Sequence, residues 1–326
     1  MLTENLKRVS LGFFPTPLHT LPRLTDKLGG PQLYIKRDDQ TGLATGGNKT
    51  RKLEFLVADA LDQGADTLIT GGAPQSNHAR QTAAAAARMG MRCVLVLRGK
   101  SPAARQGNLL LDEMLGAEIR WAEKNAMPAA MEAIAVELQE QKRTPYIIPY
   151  GGSNPVGATG YVAAMEELME QAQQMNLRFD RIVFASSSSG TQGGLVVGGK
   201  ALGHTGQVLG ISVDEKREDL QAKVVTLANE LAAHLKLNLQ FAPGEIAVNA
   251  DYLGAGYGIM GEPERMAIRL MAETEGLLLD PVYTGRAFAG LIDLIRKGVF
   301  RRSETVLFWH TGGTPALFAY ASELVR

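Results

Sequence analysis

Short apolar runs alternate with longer amphipathic segments along most of this 326-residue chain, and this alternation limits the possible folds more than any other feature. Strands buried on both faces of a parallel sheet are continuous apolar runs, and the crossover between two such strands is usually a helix. The pattern therefore predicts an α/β fold built from strand–helix–strand units around a mostly parallel, buried sheet. The predicted strands are 33–36, 67–70, 93–97, 118–121, 146–148, 182–185, 208–213, 277–279 and 305–309.

Three segments carry clear helical signals. Apolar side chains in residues 49–63 recur at a spacing that places them on one helix face. Residues 82–89 are rich in alanine, the strongest helix former, and Gly90 follows as a stop signal. A third helix is predicted to begin near Thr191, after a loop of small residues. We therefore expect the glycine-rich and serine-rich loops to lie where strands end and helices begin.

The length of the chain and two glycine clusters predict how it is divided. At about 150 residues per domain, the length favours two domains. Glycine is concentrated at 45–48 and again at 150–160, with three or four strand–helix units between. We predict a smaller α/β domain at 51–153, inserted into a larger domain made of 1–50 and 154–326.

Charge and cysteine content argue against several classes of protein. Lys and Arg number 34, as do Asp and Glu, so nothing in the net charge favours nucleic acid or an anionic membrane as a partner. The longest uncharged run, between Arg181 and Lys200, holds four serines and five glycines and is no transmembrane helix. Residues 1–14 lack the apolar core of a signal peptide, and the single cysteine, Cys93, cannot form an internal disulfide. We expect a cytoplasmic protein with no membrane partner.

The segment 182–194 reads as a strand, a loop of serines and a helix start. Backbone N–H groups at the start of a helix lack intrahelical partners, and the helix dipole adds partial positive charge there. Serine and threonine hydroxyls add donors, and glycine permits close approach. This segment predicts a binding site for a phosphate or carboxylate, against the alternative of a solvated turn.

Lys49 is predicted to lie in the first turn of an amphipathic helix, after a glycine-rich turn. A cation is disfavoured at a helix N-terminus, so the local field should favour the neutral amine. Only a neutral amine attacks a carbonyl, and a free lysine is about one part in a thousand neutral near pH 7. The alternative is that Lys49, Arg51 and Lys52 form a solvated basic turn.

Neutral polar residues follow another predicted strand. Gln75, Ser76 and Asn77 lie before the alanine-rich helix, at the end of a strand, where open parallel sheets bind ligands. Such groups suit a carboxylate or a phenolic oxygen, although a turn and a helix cap would also explain them. Hydroxyl-rich loops follow the predicted strands at 277–279 and 305–309 in the same way.

Several other classes of site lack support in the sequence. The segment 194–201 has the glycine and lysine spacing of a phosphate loop but ends in Ala201, which has no hydroxyl for Mg²⁺. No two of the five histidines have the spacing of a helical metal site, and we expect no metal. No serine lies in a G-x-S-x-G nucleophile elbow. Cys93 is expected to be a buried apolar residue, and the pair Asp38 and Asp39 to have a structural role.

Six ordered blocks together resemble the pyridoxal-phosphate enzymes of the tryptophan-synthase-β fold type, also called fold type II. The resemblance implies two open, twisted, mostly parallel sheets, each flanked by helices, and it makes the larger predicted domain, 1–50 and 154–326, the cofactor-binding one. The nearest branch contains D-cysteine desulfhydrase, L-cysteate sulfo-lyase and 1-aminocyclopropane-1-carboxylate deaminase, and the resemblance extends from about Pro15 to Tyr320. The blocks are YIKRDD at 34–39, GGNKTRKLE at 46–54, QSNH at 75–78, SSSSGTQGG at 186–194, DPVYTG at 280–285 and HTGG at 310–313.

The resemblance also implies a role for individual residues. Lys49 is implied to bind the aldehyde of pyridoxal 5′-phosphate covalently, Asn77 to contact its phenolic oxygen, and Ser188 to Thr191 to hold its phosphate. The implied cofactor-binding set is Lys49, Asn77, Ser188, Ser189, Gly190, Thr191, Thr284 and Thr311. The implied catalytic residues are Lys49, Ser76, Tyr257 and Tyr283, and the implied substrate-binding residues are Gln75, Ser76, Asn77 and His78.

Two positions distinguish activities within the branch. The deaminase pattern has a glutamate after the tyrosine of the fifth block and a leucine after the histidine of the sixth, where this chain has Thr284 and Thr311. A glutamate would hold a proton on the pyridine nitrogen more strongly than a threonine hydroxyl, and a weaker electron sink suits a substrate with a good leaving group. The resemblance therefore implies elimination of sulfide from D-cysteine, giving pyruvate and ammonia.

Alternatives remain open at this point. L-Cysteate sulfo-lyase is the second candidate, and ring-opening deamination the third. A non-catalytic protein that binds an amino acid is a fourth, and it would be colourless. Lys200 is the alternative lysine for covalent attachment of the cofactor. The resemblance further implies a small amino-acid substrate and a homo-oligomer, most simply a dimer.

Overall fold

The computed structural model describes residues 1–325 and contains two β-sheets. The six-stranded sheet has the order β1-β2-β10-β7-β8-β9, and the four-stranded sheet has the order β5-β4-β3-β6. All neighbouring strands are parallel except β1, which is antiparallel to β2. The strands are β1 (Leu18–Thr20), β2 (Gln32–Arg37), β3 (Thr67–Gly72), β4 (Arg92–Arg98), β5 (Glu118–Ala122), β6 (Pro145–Ile147), β7 (Arg181–Ser186), β8 (Gln207–Ser212), β9 (Ala247–Asn249) and β10 (Thr305–His310).

Helices connect the parallel strands and cover the sheets, so the predicted α/β class with mostly parallel sheets is confirmed. The helices are α1 (Pro22–Leu28), α2 (Lys49–Asp62), α3 (Asn77–Arg88), α4 (Gly107–Met114), α5 (Met127–Glu140), α6 (Pro155–Gln174), α7 (Gly190–Ala201), α8 (Arg217–His234), α9 (Glu262–Glu275), α10 (Thr284–Arg296), α11 (Pro315–Ala319) and α12 (Ala321–Leu324). Within residues 1–325, no helix combines the length and the apolar character needed to cross a membrane.

Apolar layers fill the space on both faces of each sheet. On one face of the six-stranded sheet, Tyr161 of α6 packs in a cluster with Phe184 and Trp309. On the other face, the rings of Phe288 and Phe308 meet edge to face at 5.1 Å, both fully buried. Burial of an aromatic side chain of this size stabilises the fold by about 1.5–3 kcal/mol, so these layers hold the sheet rigidly behind its loops.

The four-stranded sheet is covered in the same way. One apolar cluster joins Leu53 of α2 and Ala83 of α3 to Leu95 of β4. The second joins Ile69 of β3 to Met131 of α5. All four strands of this sheet lie within the predicted inserted domain at 51–153, and the boundaries of that domain stay a prediction.

One predicted strand, at 277–279, is wrong. Leu277 and Leu279 are buried and Leu278 is about half exposed, which is the alternation of a strand, but these residues pair with no described strand. Strand β10 already has β2 on one side and β7 on the other, so the segment cannot add to the sheet there. Its link to β10 is a hydrogen bond of 3.1 Å between His310 Nε2 and the carbonyl oxygen of Leu278.

The alanine-rich helix begins earlier than the sequence predicts. Helix α3 starts at Asn77 rather than at Thr82, because the hydroxyl of Ser76 accepts a hydrogen bond of 3.1 Å from the amide of Ala79. A serine that accepts from the first turn in this way is a typical N-cap. The start of α3 therefore includes Asn77 and His78.

Candidate active site

The carboxyl ends of the two sheets face one pocket. It brings together loops that follow β2, β3, β7 and β10, as expected for ligand sites in open parallel sheets. Its lining is Asn48, Lys49, Ser76, Asn77, His78, Tyr150, Gly151, Ala185, Ser186, Ser187, Ser188, Ser189, Thr191, Tyr283 and Thr311.

Two glycine turns bring the first helix of the pocket to the end of β10. Gly46 and Gly47, before α2, have φ values of +71° and +129°, which glycine adopts without strain. A Cβ at Gly312, after β10, would stand 2.6 Å from the Cα of Gly47. The amide of Asn48 donates a hydrogen bond of 3.0 Å to the carbonyl oxygen of Thr311. This close approach sets the position of Lys49, the first residue of α2.

Lys49 lines the pocket, and its amine has no carboxylate partner among residues 1–325. Burial removes water from the ammonium and lowers the pKa of Lys49 from 10.5 to about 8. At pH 7 the Lys49 amine is then neutral in about a tenth of the molecules, whereas the amine of a free lysine is neutral in about a thousandth. The sequence predicts a lowered pKa from the helix dipole, and the structure gives burial as the cause.

The serine loop lies beside the same helix. Loop residue Ser189 has a φ of +64°, and α7 begins at Gly190. The amides of Thr191 and Gln192 bond to no backbone oxygen within the part of the chain that the structure describes. The Thr191 hydroxyl accepts a hydrogen bond of 3.1 Å from Asn48, although 143 residues separate the two. The structure therefore brings the predicted anion-binding loop to the residue that precedes Lys49.

Lys52 is a residue of this region that the sequence analysis missed. Its buried amine donates hydrogen bonds of 3.0 Å to the Gly151 carbonyl oxygen and 3.4 Å to the Ser153 hydroxyl. A Cβ at Gly190 would stand 2.5 Å from the Lys52 nitrogen, so this amine lies directly behind the start of α7. Burial, with a smaller effect from the charge of Lys49, lowers the pKa of Lys52 well below its usual value.

The position of Lys52 suits a phosphate group. A dianion bound at the start of α7 would be a charge partner for an amine that has no carboxylate partner among residues 1–325. The sequence signal that could have identified Lys52 is its spacing from Lys49, because residues three apart lie on one helix face.

Residues 75–78 separate into two groups in the structure. Ser76, Asn77 and His78 line the pocket, whereas Gln75 turns away. The Gln75 side chain accepts a hydrogen bond of 2.9 Å from the amide of Asn108 and donates one of 3.0 Å to the carbonyl oxygen of Gln106. Both ends of the Gln75 side-chain amide are thereby bonded to the start of α4 and the residue before it. The predicted contact of Gln75 with the substrate stays a prediction.

His78 is neutral in this pocket. Burial, with smaller effects from the charges of Lys49 and Lys52, lowers the pKa of His78 well below its usual value. Its Nε2 lies 2.9 Å from the Thr70 hydroxyl, and that hydroxyl donates to the carbonyl oxygen of Ile148. His78 Nε2 must therefore carry the proton, which leaves Nδ1 as an acceptor.

The two tyrosines that the resemblance implies to be catalytic meet at one edge of the pocket. The hydroxyls of Tyr257 and Tyr283 are hydrogen-bonded, and their rings meet edge to face at 5.9 Å. Burial raises the pKa of both well above 10, so both keep their protons at neutral pH. Tyr150, missed by the sequence analysis, also lines the pocket, and the guanidinium of Arg98 lies 5.5 Å from the centre of the Tyr257 ring.

The two predicted threonines differ in their surroundings. Thr311 lines the pocket. Thr284 is fully buried, and its hydroxyl donates a hydrogen bond of 2.8 Å to the carboxylate of Asp280 and accepts one of 2.7 Å from the amide of Asp280. The Thr284 proton is therefore committed to Asp280, and only a remaining lone pair of its oxygen could face a ligand. A contact of Thr284 with the cofactor stays a prediction.

Other candidates lie outside the pocket. Lys200 pairs with Glu245 at 2.7 Å on the surface, and about two-fifths of its side chain is exposed. Burial raises the pKa of the Cys93 thiol, so it is a poor nucleophile. Asp38 accepts hydrogen bonds from Arg51, Tyr161 and Trp309 in a structural network. Residues 1–325 contain no cluster of three His, Cys, Asp or Glu residues that could hold a metal ion.

The residues of this pocket fit pyridoxal phosphate. Lys49 offers an amine with a lowered pKa for the aldehyde. The start of α7 and the buried amine of Lys52 offer donors for the phosphate, and a bound dianion would keep that amine protonated. Asn77 and Thr311 offer neutral hydrogen-bonding groups between these two places, as a polar aromatic ring requires.

Comparison with known proteins agrees with this fit. The family model of pyridoxal-phosphate dependent enzymes matches residues 9–312. A D-cysteine desulfhydrase of Klebsiella pneumoniae subsp. pneumoniae is 46% identical over 333 aligned positions, which cover 99% of this chain and all of that protein. A D-cysteine desulfhydrase of Salmonella typhi is 44% identical, with 96% of each chain covered.

Solved structures show the same fold. The crystal structure of an ACC deaminase homologue superposes with a TM-score of 0.91 at 42% identity, covering 99% of this chain and 97% of the other. O-Ureido-L-serine synthase, at 17% identity, shares the fold with a TM-score of 0.68 over 97% of this chain and 94% of the other. With a family model that matches most of its length, the chain belongs to the family of pyridoxal-phosphate-dependent enzymes.

Proposed function

We propose that this enzyme is a carbon–sulfur lyase that converts D-cysteine to pyruvate, ammonia and hydrogen sulfide. The observation that carries the proposal is the 44–46% identity, over nearly the full length, to proteins named D-cysteine desulfhydrase. The pocket supports it with a small, polar lining, an amine of lowered pKa and two protonated phenols.

Pyridoxal phosphate, when bound, supplies an electron sink for the negative charge that develops when the substrate loses its α-proton. Lys49 binds the cofactor, and its amine takes the α-proton once the substrate has displaced it. Its lowered pKa makes an amine that can act as a base near neutral pH.

Ser76 is a second group that can move a proton at the substrate. Its oxygen accepts from the amide of Ala79, which fixes the side chain at the start of α3. The hydroxyl hydrogen stays available for a ligand in the pocket, because the cap uses only the oxygen as acceptor. Ser76 thus orients the substrate carboxylate or relays a proton beside Lys49.

The tyrosine pair stabilises the leaving sulfur. Tyr257 is hydrogen-bonded to both Tyr150 and Tyr283, and all three phenols are protonated. When Tyr150 donates to Tyr257 and Tyr257 donates to Tyr283, the Tyr283 proton is left for the substrate. Tyr283 lines the pocket, and in this order of donation it is the phenol that donates to the departing thiolate. The sulfur of D-cysteine leaves as hydrosulfide, and this hydrogen bond stabilises the negative charge that develops on it as the bond to the β-carbon breaks.

Thr311 and Thr284 distinguish this reaction from ring-opening deamination. Neither side chain carries the negative charge that would hold a proton firmly on the ring nitrogen, and the Thr284 proton is bound to Asp280. A weaker electron sink suffices for a substrate whose β-sulfur is a good leaving group.

A coupled assay for pyruvate tests the proposal. The purified enzyme is given D-cysteine, L-cysteine, L-cysteate, β-chloro-D-alanine and 1-aminocyclopropane-1-carboxylate, each at equal concentration. We expect the highest kcat/KM for D-cysteine, with release of sulfide equal to that of pyruvate. A preference for L-cysteate with release of sulfite, or activity confined to the cyclopropane substrate, would overturn it.

We also propose that the enzyme works as a cytoplasmic homodimer. Support comes from the resemblance to its branch of the family and from the single cysteine, which is buried and forms no disulfide. Light scattering of the purified holoenzyme tests the dimer: a mass of about twice 35.0 kDa is expected, and a mass of one chain would contradict it.

A further inference from the structure

Asn108, at the second position of α4, lies behind the pocket in a buried chain of polar groups. Its side chain is fully buried, as is that of its neighbour Arg80 on α3. One terminal nitrogen of Arg80 donates a hydrogen bond of 2.9 Å to the side-chain oxygen of Asn108. The side-chain nitrogen of Asn108 donates bonds of 2.9 Å to the carbonyl oxygen of Gln75 and to the side-chain oxygen of Asn77.

The chemistry of these groups fixes the direction of every bond. A guanidinium has donors only, so Asn108 must turn its oxygen toward Arg80. A backbone carbonyl has no donor, so the nitrogen of Asn108 must face Gln75. The Asn108 amide therefore has one possible orientation, and the oxygen of Asn77 must accept from it.

The consequence for Asn77 is that its nitrogen faces away from Asn108. A Cβ at Gly313, in the loop after β10, would stand 2.8 Å from this nitrogen, which therefore lies on the side of that loop. The Asn77 nitrogen donates to no other described side chain, and Asn77 lines the pocket. The pocket thus meets a donor, which is the polarity that a phenolate oxygen requires.

We infer that Asn108, held by Arg80, is a positioning residue that fixes the Asn77 amide with its donor toward the phenolic oxygen of the cofactor. Asn108 does not touch the cofactor and acts through Asn77. The inference rests on the cofactor contact of Asn77 that is proposed from the family, and it adds the reason why the amide of Asn77 cannot turn over.

Arg80 extends the same network to Lys49. Its second terminal nitrogen donates a hydrogen bond of 2.7 Å to the carbonyl oxygen of Gly46, in the turn that precedes α2. One guanidinium therefore links the residue that orients Asn77 to the turn that positions Lys49. One buried side chain thus connects the two residues that are assigned to the phenolic oxygen and to the aldehyde of the cofactor.

Asn108→Asp is the sharpest variant, because it keeps the shape and an acceptor for Arg80 but removes the donor to Asn77. The Asn77 amide is expected to turn over, donating to the new carboxylate and presenting its oxygen to the cofactor. The phenolate form of the bound cofactor then gives way to the form that keeps the phenolic proton. We expect the ratio of the two absorption bands to change about tenfold, as for the loss of one charge-assisted hydrogen bond.

The test is the absorption spectrum of each holoenzyme, recorded from pH 6 to 9. Asn77→Ala should show a loss of the longer-wavelength band similar to that of Asn108→Asp, and the double variant should show no further loss. Asn229→Asp is the matched control. Asn229 lies on α8, and its side chain accepts a hydrogen bond from the amide of Phe241 and donates one to the carbonyl oxygen of Phe241. The spectrum of the Asn229→Asp holoenzyme should equal that of the parent.

Four results would overturn the inference. They are an unchanged spectrum in Asn108→Asp, an equal further shift in the double variant, the same shift in Asn229→Asp, and an unchanged spectrum in Asn77→Ala. If Asn108→Asp does not fold, Asn108→Ser decides, because it lacks the reach to bond Asn77 and should shift the spectrum in the same direction. The spectrum needs no turnover, so an enzyme inactive on D-cysteine would refute the proposed substrate while leaving this test valid.

Discussion

The guanidinium of Arg51 lies 2.8 Å from the carboxylate of Asp38, and both side chains are almost completely buried. Arg51 follows Lys49 by two residues in α2, whereas Asp38 directly follows β2. The ion pair therefore attaches the start of α2 to the end of β2, which lies between β1 and β10 in the six-stranded sheet. The position of the Lys49 amine depends on this attachment.

Glu167 on α6 completes the charge balance at this attachment, and its loss should destabilise the protein. It pairs with Arg51 at 2.9 Å and with Lys36. Glu167→Gln leaves two buried cations with Asp38 as their remaining carboxylate, so we expect a loss of about 3 kcal/mol in the free energy of unfolding. Urea denaturation measures it, with the exposed Glu170→Gln as the control that should unfold like the parent.

The same group gives the stability a pH dependence. Burial alone would raise the pKa of Glu167, but the charges of Arg51 and Lys36 lower it from 4.5 to about 2. A lowered pKa in the folded state means that the stabilisation is complete above about pH 4.5 and is lost as the pH falls through about 2. A Glu167→Gln variant as stable as the parent at pH 7 would contradict this description of the network.

Lys49 should react with the cofactor at a rate that follows its own titration. Burial lowers its pKa to about 8, so the neutral fraction rises with pH up to about 8 and then levels off. We expect the rate at which cofactor-free protein binds pyridoxal phosphate, followed by stopped-flow absorbance, to level off in the same way. A rate that continues to rise about tenfold per pH unit up to pH 10 would indicate an ordinary lysine.

Lys52 should contribute to binding through the phosphate of the cofactor. Lys52→Met removes a buried amine behind the start of α7, and we expect pyridoxal phosphate to bind about tenfold or more weakly. Pyridoxal, which lacks the phosphate, should bind the variant and the parent equally well. The exposed Lys200→Met is the control. Equal weakening for both ligands would show that Lys52 acts on the fold and not on the phosphate.

Tyr283 should matter only when the leaving group needs a hydrogen-bond donor. Tyr283→Phe removes the phenol that lines the pocket, and we expect kcat for D-cysteine to fall by about a hundredfold. Chloride leaves without a proton, so kcat for β-chloro-D-alanine should change by less than about threefold. A similar loss with both substrates would assign Tyr283 to substrate positioning instead.

The sequence predicts most of the sheet framework because buried parallel strands are continuous apolar runs. Strands β1 and β9 were missed because each has three residues at the edge of the sheet and too few apolar positions to give a period. The strand predicted at 277–279 is wrong because the segment has the alternation of a strand but no strand edge to pair with. Its alternation reflects burial against the sheet.

Some site residues can be predicted from the sequence, and others are identified only by their contacts in the folded protein. Lys49, Asn77 and Thr191 lie in motifs that can be seen along the chain, and the structure gathers all three around one pocket. Lys52 lies in the block at 46–54, but nothing in that block marks its amine for a phosphate, and Asn108 lies in none of the six blocks. Lys52 reaches Gly151, 99 residues away, and Asn108 reaches Asn77, 31 residues away, so their roles depend on tertiary contacts that no local pattern encodes.

The central claim is that Lys49 is the residue that carries the cofactor, and covalent mapping tests it most directly. Reduction of the holoenzyme with borohydride fixes the cofactor to the amine that holds it, and mass spectrometry of the peptides then identifies that amine. We expect the adduct on Lys49, with none on Lys52 or Lys200, and a colourless Lys49→Ala variant that forms no adduct. An adduct on Lys52 or Lys200, or one that persists in Lys49→Ala, would contradict the claim.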